Sequence, residues 1–139
     1  MKKFINLSFM YALFALASGV FYREFTKLLG FSGRTTLAFT HLHLLVLGTL
    51  VFLIIGILYQ ISDINDQKSF KSFMISYNIG LPLMVVMFYV RGIFQTLQVE
   101  LSKGISAAIS GMSGIAHIIM LVAIVLLFTC LKKTNFQKQ

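Results

Sequence analysis

The chain has one proline, one cysteine and no tryptophan, and only four of its 139 residues are acidic. Each scarcity removes a class of protein. Apart from Pro82, no proline interrupts the apolar runs, so long helices are permitted almost everywhere. A single cysteine, Cys130, excludes an intrachain disulfide. It lies near the end of an apolar run, where it is expected as a small packing residue, with palmitoylation as the lesser alternative. Charged residues make up 12% of the chain and hydrophobic residues 58%, too much apolar surface for a soluble domain of this length to hide. Paired carboxylates, a nucleophile beside a base, and a glycine-rich phosphate loop are all missing. Hydrolytic or phosphoryl-transfer chemistry therefore has no support, and the sequence leans away from an enzyme.

Long runs of Leu, Ile, Val, Phe and Met remain. In lipid the backbone must satisfy its own hydrogen bonds, which leaves helices or closed barrels. Barrel strands alternate with period two, whereas these runs are continuous, so helices are expected. The reading is an all-α integral membrane protein, a single domain over residues 1–139 made of four transmembrane helices running up-down-up-down. The expected helices cover residues 4–28, 35–60, 69–98 and 105–131. Turns are expected at Gly30-Phe31-Ser32-Gly33, Ser62-Asp63-Ile64-Asn65-Asp66 and Ser102-Lys103-Gly104. Pro82 should kink the third helix. The first run is too long for a signal peptide's apolar region.

The formal net charge of +8 would suggest nucleic acid in a soluble protein. Here the basic residues flank apolar runs, which points to topology and anionic lipid head groups, with no nucleic-acid partner. Lys2, Lys3, Lys68, Lys71, Lys132, Lys133 and Lys138 fall on one side of the membrane. Lys27, Arg34 and Lys103 fall on the other, with Arg23 and Arg91 near that boundary. The larger set marks the inner side, so a multi-pass protein of the bacterial cytoplasmic membrane with both termini in the cytoplasm is expected.

With that topology the ionisable groups gather at one depth. His41 and His43 lie near the start of helix 2 and His117 in the first half of helix 4. Arg23 and Glu24 end the apolar part of helix 1; Arg91, Gln95 and Gln98 end helix 3. All fall in the outer half, where embedded charge is costly and usually faces the bundle interior or water. Ser106, Ser110, Ser113 and Gly114 share a face with His117, and Ser8, Ala12, Ala15 and Gly19 form a small-residue stripe on helix 1. His41 and His43 are two positions apart and point in nearly opposite directions. His41 shares its face with Gly48, which would leave room for a flat ligand.

A b-type haem between helices 2 and 4 fits this inventory. His41 or His43 would pair with His117 as axial ligands, and Arg23, Arg34 and Arg91 would meet the propionates. Met84 and Met87 are expected to pack rather than ligate. Copper or zinc on His41, His43 and His117 is the next option, although the spacing on helix 2 opposes three ligands on one ion. The alternatives are a small-ligand binder, or a membrane partner or assembly protein without cofactor. Such a protein would work as a homo-oligomer or inside a larger respiratory complex.

The stretch Thr40-His41-Leu42-His43-Leu44, with Gly48 and then Gly56-Ile57-Leu58-Tyr59, resembles a run in small four-helix bacterial membrane proteins distantly related to haem-copper oxidase subunit I. The resemblance implies that His41, seven residues before Gly48, matches the low-spin haem ligand. The chain has fewer helices than that subunit and lacks its additional histidines, which argues against oxygen reduction and proton pumping. Nearly the whole chain also resembles a family of small four-span bacterial proteins without assigned activity. The likeness lies at Tyr22-Arg23-Glu24-Phe25, Thr40-His41-Leu42-His43, Val90-Arg91-Gly92 and Ala107-Ala108-Ile109-Ser110-Gly111.

Overall fold

In a computed structural model, which describes residues 1–136, the chain forms an all-α, up-down-up-down four-helix bundle. Helix α1 is Lys2–Leu28, α2 is Leu37–Ile61, α3 is Lys68–Thr96 and α4 is Lys103–Lys133. They contain 27, 25, 29 and 31 residues. At about 1.5 Å per residue each exceeds the roughly 30 Å of a hydrocarbon core. By length and composition all four can cross a membrane. Lys138, one of the basic residues used above for orientation, lies outside the described residues.

Helix α1 packs along α2, α2 packs on the outer part of α3, and α4 lies along α3. The end that carries both termini, called the inner end after the lysine pattern, is tied together by rings. Phe4 of α1 meets Tyr59 of α2 at 5.2 Å and Phe70 of α3 at 6.4 Å. The chain of contacts continues through Phe73, Tyr77 and Phe52 to Tyr11, with centroid separations between 5.2 and 6.0 Å. Such pairs bring packing energy beyond plain burial. On α4, Cys130 is fully buried with its sulfur 3.2 Å from the Ser69 hydroxyl. That position places it in the core, out of reach of an acyl transferase.

Helix ends follow local chemistry. Gly30 takes a φ of +58° just past α1, while Phe31 N–H donates to Thr26 and Gly30 N–H to Lys27. These two bonds satisfy carbonyls the helix leaves open. The same pair of bonds closes α3, from Val99 to Phe94 and Gln98 to Gln95, with Gln98 at φ +55°. Helix α3 thus stops at Thr96, two residues before the sequence expectation. A non-glycine residue in this left-handed position gives no warning in the sequence. Helix α4 starts at Lys103 because the Ser102 hydroxyl accepts from Ile105 N–H. Helix α3 continues through Pro82 as a single helix.

Helix α2 is not uniformly α. Leu44–Leu50 is a π-helical stretch. Two of its carbonyls are taken by neighbouring helices: Tyr77 Oη donates to Leu47 at 2.8 Å and Ser8 Oγ to Thr49 at 2.8 Å. Bonds from outside the helix thus meet carbonyls that the wider turns direct outwards.

Candidate functional site

Positioning begins at the start of α2. Thr35 Oγ1 donates to the Gly92 carbonyl at 2.9 Å and Thr36 Oγ1 to the Phe88 carbonyl at 2.9 Å. The Thr36 N–H, which the helix leaves open, is capped by Gln95 Oε1 at 2.8 Å. Gly92 makes this approach possible. A Cβ there would stand 2.6 Å from the Leu37 backbone nitrogen, an impossible contact with main chain. Thr35, Leu37 and Thr40 are buried in the joint. It sets the height of His41 and His43 against α3.

The two histidines then diverge. His41 turns towards α1, its Cβ facing Gly19. Its Nδ1 is buried and has no hydrogen-bond partner. His43 turns to α3, where its ring meets Phe88 edge-on at 4.7 Å. His117 of α4 meets the same Phe88 ring at 6.2 Å. His43 Nδ1 lies 2.8 Å from the Phe39 carbonyl, and His117 Nδ1 2.7 Å from that of Ser113. In each case the carbonyl one turn back can only accept, so Nδ1 carries the proton and Nε2 offers a lone pair. His117 is exposed on the surface of the bundle.

Phe88 therefore links two histidines that come from helices on different flanks of α3. One turn beyond it, Arg91 Nη2 donates to Ser110 Oγ of α4 at 2.6 Å. Phe39 borders Phe88 at 6.2 Å, and a hollow of about 240 Å³ lined by Leu42, His43, Val46 and Leu47 opens beside them. His43 thus borders this hollow, its ring and that of His117 both meet Phe88, and Arg91 lies one turn further along α3.

The other expected residues are elsewhere. Arg23 is exposed and 3.8 Å from Glu24, and Arg34 is exposed in the turn before α2. Gly48 does not leave space for a ligand. A Cβ there would sit 2.6 Å from Tyr11 Cγ, so the glycine exists to admit the Tyr11 ring between α1 and α2. The sequence expectation of an open slot beside His41 is corrected on that ground. Met84 and Met87 are buried packing residues. Among the described residues no group of three or more His, Cys, Asp or Glu side chains is placed to hold a metal ion, so the three histidines do not form one site. The sequence did not single out Phe88, because one phenylalanine among 14 carries no mark. Nor did it identify the joint of Thr35, Thr36 and Gly92.

Residues 1–134, nearly the whole chain, match the family described as protein of unknown function (DUF2871). The chain belongs to the DUF2871 family. No curated protein and no solved structure matches it. Nothing in these comparisons ties this DUF2871 member to haem-copper oxidases. Its Val90-Arg91-Gly92 run now has physical content: Arg91 holds α4, and Gly92 admits α2.

Proposed function

We propose that the protein is a b-type haem-binding membrane protein, in which His43 and His117 would hold the haem iron in the outer half of the bilayer. One observation carries this reading. Two histidines on separate helices flank the same Phe88 ring, each with Nδ1 held by a backbone carbonyl and Nε2 left to bind a metal. Arg91, one turn along α3 from Phe88, would supply a cation for a propionate. Haem would contribute one-electron or gas-binding chemistry. The chain's residues would supply ligation, an apolar wall and a neutralising charge. His41, half-buried and turned towards α1, is not in the ligand set of this reading. The lysine distribution supports placement in a bacterial cytoplasmic membrane with both termini inside.

The test is a reduced-minus-oxidised visible spectrum of protein purified in mild detergent from haem-replete cells. A Soret band with sharpened α and β bands is expected. His43→Ala and His117→Ala should each abolish or shift it, and His41→Ala should retain it. Protein without a Soret band, or a spectrum unchanged in both of the first two variants, would overturn the proposal.

The exposure of His117 favours a second reading. A polar ring on a lipid-facing surface is costly, and a protein partner could cover it instead of a cofactor. A second copy or a larger respiratory complex would then cover His117. Colourless protein that co-purifies stoichiometrically with another membrane subunit would select this reading. Colourless protein isolated only as a monomer would reject it.

A further inference from the structure

The inner end carries a separate feature that the histidine site does not use. A cavity of about 500 Å³ opens between the first turns of α1 and α3, walled by Lys3, Lys68 and Lys71 and floored by Phe4 and Phe70. Two helix N-termini meet there. Neither has an acidic residue in its first turn, and neither is capped by a side chain. The first two backbone N–H groups of each helix, at Lys2 and Lys3 and at Lys68 and Ser69, lack an intrahelical acceptor, whereas Phe4 N–H and Phe70 N–H donate to the Met1 and Gln67 carbonyls, and both positive dipole ends lie at this end of the bundle. Lysine in the first turn of a helix adds charge of the unfavourable sign, and here it does so on both helices.

Positive charge on the inner side follows from topology alone. Topology does not require three lysines to converge on one concavity. Of the two carboxylates in the preceding loop, Asp66 lies between the lining residues Asn65 and Gln67, and Asp63 is occupied by Asn135, whose backbone N–H and Nδ2 lie 2.8 and 3.1 Å from its two oxygens. Lys3 is also positioned, with Nζ 5.3 Å from the Phe4 ring centroid and 5.7 Å from that of Tyr59. Phe4 and Phe70 are buried below it. The cavity thus pairs a cationic rim with an aromatic floor.

We infer that this cavity binds the phosphate of an acidic phospholipid, one per chain, with Lys3, Lys68 and Lys71 around the anion and the acyl chain against Phe4 and Phe70. Phosphate suits both contributors: ammonium groups as point charges, and open helix N-termini as hydrogen-bond donors. The site lies at the end of the bundle away from the histidines and stands or falls independently of haem.

The experiment uses the full chain, delipidated in a non-ionic detergent. Native mass spectrometry and thermal unfolding are followed with phosphatidylglycerol, phosphatidylcholine or inorganic phosphate. Phosphatidylglycerol should give a single saturating adduct and raise Tm, and phosphatidylcholine should do neither. The variant Lys3→Gln/Lys68→Gln/Lys71→Gln should bind phosphatidylglycerol roughly a hundredfold more weakly, at a few-fold per lysine. The same three positions as arginine should retain binding, which guards against a folding defect. The control Lys132→Gln/Lys133→Gln removes charge at the same end outside the cavity and should bind as the parent does. Equal weakening in the control and the triple variant would mean diffuse attraction and overturn the site. Stabilisation by inorganic phosphate equal to that by phosphatidylglycerol would overturn the lipid as its occupant.

Discussion

The two halves of the bundle are built on different principles. At the inner end large rings hold the helices apart and fill the space between them, from Tyr59 through Phe4, Phe70, Phe73 and Tyr77 to Phe52 and Tyr11. At the outer end α2 and α3 approach backbone to backbone, and threonine hydroxyls with Gln95 bridge them. The inner half leaves only its helix starts open, beside the lysine-lined cavity. The outer half leaves His43 and His117 with free ring nitrogens and His41 with an unpartnered one. In lipid, where helix association gains little from the hydrophobic effect, rings and hydroxyls alike act by close packing and hydrogen bonding. Unsatisfied polarity is therefore the better guide to function: the histidines mark it at the outer end, and the uncapped helix starts mark it at the inner one.

Four measurements would break or sharpen that contrast beyond the optical spectrum. The largest effect is expected at the centre of the ring chain. Phe52→Ala should destabilise the bundle by about 3 kcal/mol, the lower end for a buried aromatic truncation. Detergent unfolding followed by circular dichroism would read it. A loss smaller than that of the next variant would move the main source of stability outwards.

Gly92→Ala comes second. Its added carbon meets the Leu37 backbone at 2.6 Å, and overpacking of this kind costs about 1–3 kcal/mol. Gly114→Ala on α4, where nothing lies within 4 Å of the new carbon, should be neutral or slightly stabilising in the same assay. Equal effects at the two glycines would remove the close approach from the account of the outer end.

Tyr77→Phe is third. It keeps the ring contacts and removes only the hydroxyl that meets Leu47 in the π-helical stretch. A loss of about 0.6 kcal/mol is expected, the average for such a bond within a membrane protein. Increased hydrogen exchange confined to Leu44–Leu50 should accompany it. An unchanged exchange pattern would show that the stretch holds its shape without Tyr77.

The smallest effect concerns the loop after α2. The Asn135 backbone N–H holds the Asp63 carboxyl below its usual range. A depressed carboxylate pKa contributes stability above the unfolded value, and that contribution fades as pH falls through the folded one. The contact between loop and tail should therefore hold at neutral pH and open below about pH 4. The amide resonance of Asn135 should report this. Asp63→Asn should abolish the pH dependence without changing the spectrum or the bundle. A dependence that persists in the variant would assign it to another group.

Much of the architecture was legible from residues alone. Apolar runs longer than a bilayer core, broken by Gly30 and by the Ser62–Asp66 segment, leave a lipid-exposed chain few options besides helices. The depth of His41, His43, His117 and Arg91 followed from counting along those helices. Their opposite directions on α2 followed from a two-residue spacing. What the tertiary structure decided was which side chain meets which. It turned His41 to Gly19 and filled Gly48 with Tyr11. It brought His43 and His117 to a shared Phe88 and fixed the height of His43 through Gly92. The physical reason is that periodicity assigns a residue to a face and a level, which are properties of one helix. Contact depends on the rotation and spacing of two helices. Here both are set by a few small residues and by a π-helical stretch whose carbonyls are held from other helices.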